Sequence, residues 1–250
     1  MPENFLFDRE TLDSYLKEIA KEYRKLVGKT MPAEIIIVGG GAIVANYGFR
    51  LTTSDVDAVI SAASAIKDAI NAVGNKYELP RGWLNTDFTH TQSYSPRIVE
   101  CSSYYKTFSN VLTVRTVSGE YLIAMKLMSG RKYKNDISDI VGILMEHEQR
   151  GMPITRQQID KAIVRLYGEN AKLPTVSVEL LDNVFSRNDY KEIFIESRNF
   201  EIKNRQNLIN FERENPGVAN TNNIDDILNM LGEDFSEDDC DLSDVDNDER

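Results

Sequence analysis

Asp55 and Asp57 are the residues of this chain whose type and spacing could do chemistry. They flank Val56 at the start of an apolar run, so a strand there would send both carboxylates from one face, roughly 6–7 Å apart at the backbone, and turn Val56 inward. Carboxylates held that close repel one another unless a proton or a cation lies between them, and hard oxygen donors of this kind suit Mg²⁺ or Mn²⁺. Triphosphate chemistry needs such an ion, which bridges phosphate oxygens and offsets charge that develops in the transition state. Gly39, Gly40 and Gly41 fit the same chemistry. Residues without Cβ let backbone N–H groups at a helix N-terminus approach a phosphate closely.

The elements that must position these residues can be read from the stretch 35–60. Four apolar residues at 35–38 form a buried strand, the glycines make the turn, 42–47 make a short helix, and the acids open a second strand. A dinucleotide-binding fingerprint is the rival reading of the glycines. It fits poorly, because the third small residue would fall at Val44 and the ribose-reading acid normally closes the second strand, whereas Asp55 and Asp57 open theirs. A tight turn and a capped strand, with no chemistry at all, is the plainer alternative for either motif alone.

The segment resembles the Gly-Gly/Ser then Asp-x-Asp signature of the DNA polymerase β-like nucleotidyltransferase superfamily. Within it, the chain is most similar to the AbiEii-type toxin nucleotidyltransferases and the related DUF6036 family, over residues 30–145. Arg50, Thr52 and Thr53 match the arginine–threonine run before the acids, and LIAMKLMSGRKYKNDISDI, from residue 122 onward, matches the later lysine, arginine and aspartate run. The resemblance implies an α+β nucleotidyltransferase fold, a small mixed β-sheet flanked by helices. It also implies that Asp55, Asp57 and Lys126 are catalytic and that Asp55 and Asp57 bind the metal. Gly39, Gly40, Arg50, Lys126 and Asp136 would bind the nucleotide, with Lys126 neutralising the triphosphate, and Asp136 or Asp139 would hold Lys126 or the metal site. Two departures stand out. Gly40 occupies a position where the superfamily often has serine, and VLTVRTV offers Thr113 and Arg115 where a third acid is often found. Asp87, Glu100 and Asp136 are the candidates to complete the carboxylate set.

At 250 residues the chain is long enough for a catalytic domain with an appendage. We expect a nucleotidyltransferase-like domain over 1–150, a helical region over 151–214, and a linker with a disordered acidic tail over 215–250. No apolar run approaches membrane-spanning length and no signal-peptide pattern is present, so a cytoplasmic location is expected. Cys101 and Cys240 are too few and too far apart to indicate a disulfide framework or a zinc site. The net charge of −11 is concentrated: residues 233–250 contain ten acids and one arginine, which leaves about −2 for the rest and does not exclude nucleic acid.

Along the chain, Leu12, Tyr15, Leu16, Ile19, Tyr23, Leu26 and Val27 recur at helical spacing behind an Asp8 N-cap. Residues 61–73 read as a helix ended by Gly74, and 75–96 as a long irregular segment in which Trp83 is a core anchor. Strands are expected near 97–101 and 111–117. Ser118 caps a helix to Gly130, and Asn135 or Asp136 caps the next. Thr155 with Gln158 makes a capping box, and helices after Pro174 and over 188–214 complete the region. Arg187, Lys191, Arg198, Lys203 and Arg205 read as a solvated face open to RNA. IDDILNMLG is expected to form about two helical turns and to need a partner to persist.

The leading expectation is a metal-dependent enzyme that moves a nucleoside monophosphate from an NTP to an acceptor hydroxyl. Toxin-type relatives imply the tRNA 3′ end in a toxin–antitoxin or phage-defence setting, with other RNA, a protein side chain or a small molecule as further acceptors. A catalytically inactive member, acting as a nucleotide-sensing or protein-binding module, is the alternative; the acidic tail reads as a nucleic-acid mimic, a cover for a basic site or a docking element for a protein partner, with solubility the plainer explanation.

Overall fold

A computed structural model describes residues 5–220 and 223–238, without the side chains of 233–238. The first helix, α1 (Arg9–Val27), starts where Asp8 accepts the Thr11 N–H and Thr11 answers with its hydroxyl. Leu12, Leu16, Ile19 and Tyr23 form its buried stripe, while Leu26 is exposed. Helix α1 packs on α3 (Ala65–Lys76).

Five strands make one mixed sheet in the order β3-β2-β1-β5-β4. At its centre, β1 (Ala33–Ile37) is apolar except for Glu34, which pairs with Arg115, and it is buried almost throughout. It pairs antiparallel with β2 (Val56–Ser61) and parallel with β5 (Leu112–Val117). The edges are the two-residue β3 (Leu84–Asn85), parallel to β2, and β4 (Ser102–Phe108), antiparallel to β5 with a bulge between Tyr104 and Lys106. The connection from β1 to β2 contains α2 (Gly39–Asn46). Helix α5 (Gly119–Ser129) follows β5 and packs on both α6 (Asp136–Gln149) and α7 (Arg156–Tyr167). Then come α8 (Thr175–Arg187), the long α9 (Tyr190–Glu214) lying on α6, and α10 (Ile224–Asp238) against α9. This is the α+β sheet-and-helix architecture expected, with a helical C-terminal part.

Four local expectations are corrected. Residues Ile98–Cys101 form a single helical turn, α4, and the strand starts after it at Ser102. The apolar pair Ile98 and Val99 suits either state, and length alone does not separate them. Helix α3 continues past Gly74, whose bare Cα lies under the indole of Trp83: a Cβ there would stand 3.2 Å from Nε1. Close packing, not chain reversal, explains that glycine. The irregular segment contains β3 and a 3₁₀ turn over Asp87–His90, and Trp83 is buried, stacked on Phe7 with centroids 5.6 Å apart. The short helix expected at 224–232 runs on to Asp238, with Ile227 and Leu228 buried. The acidic residues beyond it, and Cys240, lie outside the described residues. No helix among the described residues is long and apolar enough to cross a membrane.

Candidate active site

The acid pair stands where β2 begins, beside the end of β1. The Val38 N–H donates to the Asp57 carbonyl (3.0 Å), which ties the residue before Gly39 to the second acid. Val56 is fully buried, Asp57 is half-buried and Asp55 is exposed. Burial raises the Asp57 carboxyl above its ordinary range and the charge of Asp55 raises it further, while Arg131, Lys126 and Lys134 act in the opposite sense. Two acids thus bear on one another, and three cations lie near enough to answer them.

The glycines do different work. Gly39 has φ +56°, and a Cβ there would sit 3.3 Å from Asp57 Oδ2. Only a residue with no side chain takes that backbone and lets Asp57 stand over the turn. At Gly40 a Cβ would meet Thr53 Oγ1 at 2.6 Å and Arg50 Nη2 at 2.8 Å. The space a serine would need is filled by the arginine–threonine run itself. Among the described residues no side chain caps the N-terminus of α2, which leaves its first amides without a side-chain acceptor beside Asp57.

Behind the mouth lies a buried charge network. Lys126, on α5, is 8% exposed, and its Nζ is 2.8 Å from both Asp136 Oδ1 and Asp139 Oδ2. Arg50 reaches Asp139 at 2.6 Å and also donates to the Thr52 carbonyl. Arg131 donates to both oxygens of Asp136, at 2.8 and 3.2 Å. Burial would strip the charge from Lys126, but Asp136 and Asp139 outweigh it and hold the ammonium above its usual range. Burial likewise works against an ionised Asp136, and Lys126 with Arg131 overcomes it, keeping that carboxyl well below the carboxylate norm. The network carries three cations and two carboxylates, an excess of one positive charge directed at the acid pair.

This geometry revises two roles drawn from the sequence. Asp136 is 1% exposed and fully engaged, so it is neither a free nucleotide contact nor a third metal ligand in this arrangement. Lys126 does not stand free in the cleft; it is held between Asp136 and Asp139, which Arg131 and Arg50 hold in turn. Arg131, with 42% of its side chain exposed, is the network's cation nearest solvent. Of the other acids, Glu100 sits on α4 beside Arg165 (3.9 Å), and Asp87 is exposed in the 3₁₀ turn. The register sets Asn85 directly opposite Asp57, so an amide occupies the place next to the pair on the neighbouring strand. Among the described residues, no three His, Cys, Asp or Glu side chains gather as a ligand set. The donors still fit Mg²⁺, which is commonly held by one or two protein carboxylates and completes its shell with substrate phosphates and water. A separate polar cleft of about 300 Å³, bounded by Asn46, Tyr47, Tyr104, His147 and Arg150, lies at the other end of α2 and includes none of Asp55, Asp57 and Lys126.

One buried charged residue beside this network was not singled out by the sequence. Glu201, on α9, is 1% exposed and accepts hydrogen bonds from Ile137 N–H, Ser138 N–H and Ser138 Oγ. Its signal was weak, since α9 alternates acids and bases like any solvated helix. Within the expected basic face, Arg187 is paired with Glu192 and Glu196, and Arg205 donates to the Tyr133 carbonyl and to Asn135.

A helix opened by glycines beside an Asp-x-Asp strand, on a mixed sheet, defines a protein of the nucleotidyltransferase class. The sequence profile of the DUF6036 family, described as a nucleotidyltransferase of unknown function, matches residues 14–163, more than half of the chain. The chain belongs to that family. No curated protein and no solved structure gives a significant match.

Proposed function

We propose that the protein is a metal-dependent nucleotidyltransferase that transfers a nucleoside monophosphate from an NTP to an acceptor hydroxyl. The observation that carries the reading is the placement of Asp55 and Asp57 beside the uncapped, glycine-opened start of α2, backed by a network with an excess cation. Asp55 and Asp57 would hold Mg²⁺ or Mn²⁺, which supplies Lewis-acid polarisation of the phosphate oxygens when bound. The amides of Gly39 and Gly40 receive phosphate oxygens at the helix N-terminus. Arg131 and Lys134 reach the β and γ phosphates from the solvent side, while Lys126 and Arg50 supply field from behind through Asp136 and Asp139. Burial and the Asp55 charge raise the Asp57 carboxyl, and a cation between the two acids would offset both effects.

The acceptor proposed from the family resemblance is the 3′ end of a tRNA or another RNA, in a toxin–antitoxin or phage-defence setting, and the acidic tail is a docking element for a protein partner. Asn85 opposite Asp57 favours the second reading, a catalytically inactive nucleotide-binding module, because an amide is a weaker metal ligand than a carboxylate. Incubation with each α-labelled NTP, Mg²⁺ and total tRNA separates the two. Label on RNA that is lost in Asp57→Ala supports the enzyme; Mg²⁺-dependent NTP binding with no transfer to RNA or protein supports the module.

A further inference from the structure

Helix α9 lies beyond the family-matched residues, yet it fastens the turn that carries the site's outer cations. Three of its residues, spaced i, i+3 and i+4, do this. Glu201 Oε1 accepts the Ile137 N–H at 2.7 Å and the Ser138 N–H at 3.2 Å, and Oε2 accepts the Ser138 hydroxyl. Asn204 Nδ2 donates to the Lys132 carbonyl at 3.0 Å, and Arg205 donates to the Tyr133 carbonyl and, at 2.7 Å, to Asn135 Oδ1. Both sides of the turn from Arg131 to Asp136 are therefore held from one helix face.

The location of the Glu201 contacts matters more than their number. Ile137 and Ser138 are the two residues between Asp136 and Asp139, and those two aspartates hold Lys126. Any shift in the first turn of α6 moves both carboxylates, and with them Lys126, Arg50 and Arg131. Ordinary helix capping is done by a serine, threonine or aspartate next to the helix in sequence. Here the N-cap, Asn135, makes no side-chain cap bond, and the first-turn amides are met by a buried carboxylate from a distant helix. A carboxyl group so far from water persists only where hydrogen-bond partners meet its oxygens.

We propose that Glu201 is a positioning residue for the polyphosphate end of the bound nucleotide: by fixing the first turn of α6 it sets where Asp136 and Asp139 hold Lys126 and where Arg131 emerges at the mouth. The inference rests on the nucleotidyltransferase reading of the site. It adds that the C-terminal helices are part of nucleotide binding and not an appendage to it.

The test uses the full chain as wild type, Glu201→Ala, Glu201→Gln, Asn204→Ala and, as a stability control, Val184→Ala, a buried position on α8. Three quantities are read: Mg²⁺-NTP dissociation constant, melting temperature, and hydrogen exchange of peptides covering 130–140 without nucleotide. Glu201→Ala is expected to weaken NTP binding about tenfold, the scale of losing an outer support of a charged site, and to speed exchange over 130–140. Glu201→Gln keeps an acceptor for the two amides and recovers most of the affinity. Asn204→Ala, which frees only the Lys132 carbonyl, weakens binding by a smaller factor and keeps the test open if Glu201→Ala does not fold. Val184→Ala lowers the melting temperature but leaves affinity unchanged. Binding in Glu201→Ala and Asn204→Ala equal to wild type, or exchange over 130–140 unaltered, overturns the inference alone. Wild type that binds no NTP overturns the parent reading, and this inference with it.

Discussion

At the scale of single residues, the buried network decides what substitutions mean. Lys126→Ala would leave Asp136 and Asp139 facing each other with only Arg131 and Arg50 as counter-charges. Removing one partner of a buried ion pair costs about 3–5 kcal/mol. We expect urea unfolding of Lys126→Ala to fall in that range and Lys126→Met, which keeps the packing, to lose less; equal stability of Lys126→Ala and wild type would contradict the lattice described. Loss of activity in either variant alone is therefore poor evidence for phosphate contact, and Asp57 is the cleaner probe. Glu201 gives a second prediction with a definite sign. Burial lifts its carboxyl from 4.5 to about 7, against the Ser138 and Ile137 hydrogen bonds and with help from the Asp139 charge. Between those values the folded chain keeps a proton that the unfolded chain has released, so the contribution is fully present below about 4.5 and is lost as pH rises through 7. From pH 5 to 8, wild type should lose up to about 3 kcal/mol relative to Glu201→Gln, by urea unfolding at each pH. A constant difference between the two would refute the raised carboxyl. The acid pair was legible as a local i, i+2 spacing, although β2 begins at Val56 and only Asp57 of the two lies on it. Glu201 was not, because nothing in a charged helix says which of its acids meets an orphaned helix end 63 residues away.

At the scale of elements, the sequence marked most helices correctly through their ends: Asp8, Ser118, Asn135 and the Thr155–Gln158 box all stand where helices begin. It misplaced β4 because the signal for an edge strand is shared with a helical turn, and the bulge at Tyr104–Lys106 breaks the alternation that would have identified it. Helix α10 shows the reverse case. Its sequence is too short in apolar residues to fold alone, and the structure supplies the partner: Ile227 and Leu228 are buried, and Asn229 accepts from Lys132 Nζ at 3.1 Å. Lys132 belongs to the same turn that α9 holds. Deleting residues from Ile224 onward should cost about 1–3 kcal/mol, the scale of re-exposing two aliphatic side chains less the order they impose. An unchanged urea midpoint after that deletion would mean that α10 rests on the body without stabilising it.

At the scale of the whole molecule, the family match ends at residue 163, in α7, while the charge network depends on contacts made by α9. The C-terminal helices thus close the electrostatic circuit that the sheet opens. The charge balance follows the same division. The body is close to neutral and the excess negative charge lies in the terminal acidic run, so the positive mouth formed by Arg131 and Lys134 is not cancelled by its own surroundings. That mouth, with the acid pair beneath it, is the central claim, and calorimetric titration of an NTP into the full chain tests it most directly. With Mg²⁺ present, binding is expected in wild type and should weaken by at least about tenfold in Asp57→Asn, the scale of losing one charged hydrogen-bonding or ligating group. Affinity that is the same with and without Mg²⁺, or the same in Asp57→Asn, would contradict it.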